Sequence, residues 1–171
     1  MTLHDLLDRE AIRECVFLYC RGIDRADEDA LRASYWPDAT DSHGAYRGPA
    51  SGFIDAALHK LRESSRMIHH VGNLSIELRG SQAAVETYFL AWQRDRDAQG
   101  AEQETFLAGR YVDRFEKRGA EWRVAARVVV YDWVQAPVRL LRRPPQTLQV
   151  SITWVCRACR PASRRRCSAS G

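Results

Sequence analysis

Two hydrophobic periods divide the chain. From Leu3 to Ile23 the apolar residues Leu3, Leu6, Leu7, Ala11, Cys15 and Leu18 recur at helical spacing, with Gly22 closing the stripe and loosening the helix near its end. A second, shorter helix is predicted from about Asp27 to Tyr35, capped by Asp24 or Asp27 and stopped by Pro37. Pro49 sits where a first helical turn tolerates proline, so a third helix opens behind it and runs from Ala50 to Ser64. Phe53, Ile54, Ala57, Leu58 and Leu61 are its buried face. After Ser65 the period changes to two. Four long runs, Met67–Leu78, Ala83–Asp95, Glu102–Glu116 and Trp122–Val134, are separated by turn clusters rich in Gly, Asp and Ser. Long strands joined by short loops predict an antiparallel meander, and three helices ahead of it predict an α+β domain. Such a sheet can curve around the helices and enclose an apolar cavity.

Charge changes the picture only at the C-terminal end. The formal net charge is +4, but the stretch from Pro137 to Gly171 holds eight Arg and no acidic residue. Residues 1–136 are therefore net acidic and form the expected domain, and 137–171 is read as a basic extension. Within it 147–155 alternates well enough for one extra strand, and the rest has the composition of disorder. No apolar run is long enough to cross a bilayer, and the first residues lack the order of a signal peptide, so a cytoplasmic location is expected. Neither nucleic acid nor membrane is expected as a partner; if either bound, the tail would be responsible. Cys156 and Cys159 have C-x-x-C spacing, but a four-ligand site needs a second pair and only Cys167 is near. No metal or cofactor is expected, and the familiar nucleotide, serine-hydrolase and zinc-protease patterns are missing from the sequence.

Two segments could carry chemistry. Tyr19 to Asp24 ends the first helix, and Met67 to Leu74 opens the first long strand with His69 and His70. A strand histidine facing a cavity, with a carboxylate on its other ring nitrogen, can act as a general base. The carboxylate holds the tautomer and stabilises the imidazolium. Adjacent strand residues face opposite ways, so at most one of the two histidines lines a pocket. The plainer readings are a histidine satisfied in the core and an Asp24 that merely caps the second helix. His43, two residues after Asp41, reads as a surface residue near a pocket mouth. Arg127 lies among apolar residues and either faces the cavity, where it could hold a leaving anion, or faces solvent. Aromatic residues recur along the strands. Tyr88, Trp92, Phe106 and Tyr131, with Trp36 ahead of them, are the candidates for a lining suited to a ring-shaped substrate.

The motifs Arg9-Glu10-Ala11-Ile12, Tyr19-x-x-x-x-Asp24, Tyr35-Trp36-Pro37-Asp38-Ala39, Tyr46-Arg47-Gly48-Pro49, Ile68-His69-x-x-x-Asn73-Leu74 and Gly119-x-x-Trp122-Arg123-Val124 together resemble the SnoaL-like, or nuclear transport factor 2-like, superfamily. They resemble most its dehydratase and dehydrochlorinase branch, and the likeness runs from about Leu6 to Gln135. It implies a cone-shaped α+β barrel, with three helices packed in a curved antiparallel sheet. It also implies a His69–Asp24 catalytic pair assisted by Tyr19. The implied chemistry is a cofactor-independent elimination of water or halide from a small hydrophobic, cyclic molecule, by a self-associating protein, a trimer ahead of a dimer. An isomerase or cyclase using the same pocket is the alternative, as is a non-catalytic binding or assembly module, since fold alone does not fix function.

Overall fold

The computed structural model describes residues 1–63 and 66–139. The expected strand at 147–155 and the cysteines of the basic extension lie outside the described residues.

Helix α1 (Leu3–Arg25) starts at a capping box, in which the Thr2 hydroxyl accepts from the Asp5 N–H while the Asp5 carboxylate accepts from the Thr2 N–H. Its buried face is Ile12, Cys15, Val16, Tyr19, Cys20 and Ile23, whereas Leu3, Leu6 and Leu7 are exposed. The helix is apolar on several sides, so periodicity alone selects the wrong stripe at its N-terminal end. Gly22 does not loosen it. A Cβ there would stand 2.8 Å from the Leu31 side chain, so the missing side chain allows α2 (Glu28–Ser34) to dock closely. α1 instead ends one turn later, where Ala26 takes the left-handed conformation (φ 49°) and the Asp27 N–H donates to the Gly22 carbonyl. Asp27, and not Asp24, then caps α2 by accepting from the Ala30 N–H. Asp24 is thereby left in the last turn of α1 with its carboxylate uncommitted to capping.

The chain enters β1 (Tyr35–His43) directly from α2, turns through Gly44 and Ala45 into β2 (Tyr46–Pro49), and continues as α3 (Ala50–Glu63). The meander follows as β3 (Arg66–Arg79), β4 (Gln82–Arg96), β5 (Glu102–Arg118) and β6 (Glu121–Val134), with a two-residue β7 (Val138–Arg139) paired to β5. The sheet order is β2-β1-β6-β5-β4-β3.

Three helices and a curved sheet make the expected α+β cone, with two differences. The sheet is unclosed, and it is mixed, because β1 runs parallel to β6. β1 falls on residues read as helix end and loop. Its inward positions are Tyr35, Ala39 and the polar Asp41, which hides the alternation. The register shifts between Val71 and Leu74 in β3, and in β5 between Ala108 and Gly109 and between Arg114 and Phe115. A Cβ on Gly109 would collide with the Val130 carbonyl.

Odd-numbered residues of β4 and β5 (Val85, Thr87, Phe89, Ala91, Tyr111, Asp113 and Phe115) face α1 and form the core with Trp122, Val124 and Val129 of β6. The outer face carries exposed Ile68, Tyr88, Leu90, Trp92, Val112 and Val128. Among the described residues no helix is long and apolar enough to cross a membrane.

Candidate functional site

β3 is the last strand of the sheet, so one row of its backbone groups lacks a strand partner. The last turn of α1 covers that edge. Asp24 Oδ2 accepts from the His69 backbone N–H at 3.1 Å, and Oδ1 lies 2.7 Å from His69 Nδ1. One carboxylate therefore fixes both the backbone and the ring. A carboxylate can only accept, so Nδ1 carries the hydrogen and Nε2 is left as the basic nitrogen. Nε2 has no hydrogen-bond partner among the described residues. The His69 side chain is 4% exposed and Asp24 16%, so the pair is largely shielded from water. His70 points to the other side of the sheet, beside Tyr88 and Asp132.

His69 lines a cavity of about 310 Å³ between α1, α3 and the concave sheet. Its walls are mainly apolar, from Ile23, Phe53, Ala57, Leu61, Met67 and Leu107. The polar groups reaching it are Tyr19, His43, Tyr46, Lys60, His69, Gln93 and Tyr131. Lys60 marks the solvent side, 59% exposed and 4.0 Å from Asp95. Burial raises the Tyr19 phenol well above its usual pKa, so it remains a neutral hydrogen-bond donor.

Several expected lining residues lie elsewhere. Tyr88 and Trp92 occupy even positions of β4, which face outward, and Phe106 meets Trp92 across the strands with ring centroids 5.3 Å apart. Trp36 faces away from the neighbouring Tyr35. Its Nε1–H donates to the Glu116 carbonyl, and the Arg118 and Arg123 guanidinium groups each lie 4.8 Å from its ring. Composition marks aromatic residues as candidates, but only strand register decides their face. Of the five, Tyr131 alone lines the cavity.

Arg127 is also displaced from its expected role. It is 1% exposed and lies in the core beneath Tyr19. Its Nε and Nη2 donate to the two Asp113 oxygens at 2.8 and 2.7 Å, and Nη1 donates to the Tyr35 hydroxyl at 3.3 Å. Tyr19 and Tyr111 cover its faces at 4.0 and 4.3 Å. Burial works against the charge, but the Asp113 carboxylate outweighs it and holds the guanidinium pKa well above the usual value. At 1% exposure, with its guanidinium paired to Asp113 and Tyr35, it is not among the residues that line the cavity.

His43, expected at the surface near a pocket mouth, is only 21% exposed. The structure puts it in the cavity wall, stacked on Phe53 with centroids 4.4 Å apart and edge-on to Tyr131. Asp41 precedes it by two residues, on the same strand face. The signal was available as Asp41-x-His43, but it requires recognising that this stretch is a strand.

Among the described residues no group of three or more His, Cys, Asp or Glu side chains is placed to hold a metal. Cys15 and Cys20 are buried free thiols in the core.

No curated protein matches the chain. Solved structures do. A scytalone dehydratase-like protein from Novosphingobium aromaticivorans shares 22% identity, with a TM-score of 0.70 over 79% of this chain and 91% of that one. A hexachlorocyclohexane dehydrochlorinase from Novosphingobium barchaimii shares 21% identity, with a TM-score of 0.68 over 84% and 98%. The β subunit of a candidate aromatic-ring-hydroxylating dioxygenase from Novosphingobium aromaticivorans shares 18%, with a TM-score of 0.59 over 77% and 93%. At these identities the likeness is one of fold, and the fold serves more than one purpose. The sequence itself matches the SnoaL-like domain over residues 4–128, and the chain belongs to that family.

Proposed function

We propose that the protein is a cofactor-independent lyase acting on a small hydrophobic, cyclic molecule. The observation that carries this reading is the 2.7 Å His69–Asp24 contact beside an apolar cavity, with His69 Nε2 unpartnered among the described residues. His69 Nε2 takes a proton from a ring carbon. The electrons of that C–H bond form the new C=C bond, and the leaving group departs from the adjacent carbon with its bonding pair. Asp24 stabilises the imidazolium through Nδ1–H. Tyr19 donates a hydrogen bond to the departing group or to an adjoining carbonyl.

Arg127, the residue expected to hold a departing anion, is buried with Asp113 and Tyr35 and does not line the cavity, so that role falls to Tyr19 or the other polar groups of the wall. An isomerase is the second reading, supported by the same observation, because returning the proton to another substrate carbon requires no anion site.

Purified protein incubated with cyclic alcohols and halides, followed by mass spectrometry, separates the readings. Elimination lowers the mass by one water or one hydrogen halide, and isomerisation leaves it unchanged. His69→Ala should lower the rate by about 10²–10⁴ with the fold retained. An alanine variant as active as the wild type would sink both readings and leave the site to a binding module.

A further inference from the structure

The elimination reading leaves one proton unassigned. Hydroxide is a poor leaving group, so dehydration needs an acid that gives up a proton near neutral pH. Tyr19 is a poor source, because burial pushes its pKa up. A histidine, ordinarily near pKa ~6.5, is matched to the task.

His43 is the second histidine in the same cavity wall as His69. Its Nδ1 lies 3.6 Å from Asp41 Oδ1, slightly beyond hydrogen-bonding distance. Both atoms are buried, and neither has another partner among the described residues. Buried polar atoms left in this way are costly, and these two can satisfy one another by a shift of a few tenths of an ångström. Asp41 is itself anchored, since its Oδ2 accepts from the Tyr35 hydroxyl at 2.7 Å and Tyr35 accepts in turn from Arg127. The Arg127–Asp113 pair thus holds the carboxylate that faces His43. Among the other groups of the wall, Tyr131 lies edge-on to the His43 ring and Tyr46 donates to the Pro49 carbonyl. Lys60 stands at the solvent side.

We propose that His43, paired through Nδ1 with Asp41, is a second catalytic residue, the general acid that protonates the departing hydroxyl of a cyclic alcohol. The proposal rests on the elimination reading above and names its substrate class. The balance is complete. His69 removes the carbon-bound proton, the C–O bond breaks, and the proton on His43 Nε2 joins the hydroxyl to release water. Transfer of a proton from His69 to His43 through solvent then resets the site.

Two measurements test it. The first needs no turnover. Imidazole proton–nitrogen correlation spectra of histidine-labelled protein, assigned with His43→Gln, should show His43 protonated on Nδ1. In Asp41→Leu, which removes the acceptor, the His43 Nδ1–H resonance should shift and exchange faster with solvent. An Nδ1–H resonance unmoved by Asp41→Leu would overturn the pairing. The second compares β-hydroxycyclohexanone with β-chlorocyclohexanone, whose chloride leaves without a proton. In His43→Gln the alcohol rate should fall about 10²–10⁴-fold, and by at least about tenfold more than the chloride rate. His69→Ala should lower both alike. Equal losses on the two substrates in His43→Gln would make His43 a structural residue and overturn the proposal. Failure of the wild type on both compounds would count against the elimination reading, with the His43 Nδ1–H resonance still deciding the pair.

Discussion

The buried Arg127–Asp113 pair yields a quantitative prediction. In Asp113→Leu the side-chain volume is roughly kept and the carboxylate is lost. Arg127 then retains its charge, since a guanidinium cannot deprotonate in a protein. Two charge-assisted hydrogen bonds disappear, and the cation is left with the Tyr35 hydroxyl and the Tyr19 and Tyr111 rings. Breaking one partner of a buried pair costs about 3–5 kcal/mol. The ring contacts, about 0.5–2 kcal/mol each, are already present in the wild type and do not compensate. Against a whole-domain stability of about 5–15 kcal/mol the loss is roughly a fifth or more. With an m value near ~2 kcal/mol/M it moves the urea midpoint by roughly 2 M. Urea unfolding followed by far-UV circular dichroism and tryptophan fluorescence gives the number. The double variant Asp113→Leu/Arg127→Met removes both charges and should recover most of the loss. A single variant that loses less than about 1 kcal/mol, or a double variant no more stable than the single, would refute the argument that an uncompensated charge is the cost.

Three further outcomes follow from the packing. Asp8 accepts from Lys117 and from the Trp122 indole, which hold its pKa below the usual 3.8. Its contribution is therefore present above that value and lost as pH falls through the lowered pKa, so Asp8→Asn should be less stable than the wild type at neutral pH and converge with it in acid. A gap that persisted in acid would contradict the sign. Burial pushes the Cys15 and Cys20 thiols up to about 12, so peptide mapping after iodoacetamide treatment should find both unlabelled in the native protein and labelled in urea. Native labelling at the rate of a free thiol would mean that α1 opens. Gly22→Ala places a methyl 2.8 Å from Leu31 and should cost about 1–3 kcal/mol. A neutral result on thermal melting would show that α2 can shift without penalty.

The first helix and the four long strands of the meander are legible from periodicity. Long apolar–polar alternation after Ser65, punctuated by Gly80, Gly100 and Gly119, dictates four strands and their hairpins, because each residue's face depends only on its neighbours along the chain. The cap of α2 is narrowed by sequence to Asp24 or Asp27, and the structure selects Asp27. What tertiary structure decided is every matter of register and depth. β1 escapes a period-two reading because the core-facing Asp41 is polar, and its place in the interior depends on the Tyr35 hydroxyl, which Arg127 of β6 holds in turn. The same holds for Arg127, whose side chain is drawn inward by Asp113, fourteen residues away on the neighbouring strand. Whether Trp92 or Phe89 faces the helices is fixed by a one-residue phase, and composition carries no phase. His69 and Asp24, 45 residues apart, meet because α1 ends at Ala26 over an unpaired strand edge, a juxtaposition that sequence can propose by resemblance but only packing can bring about.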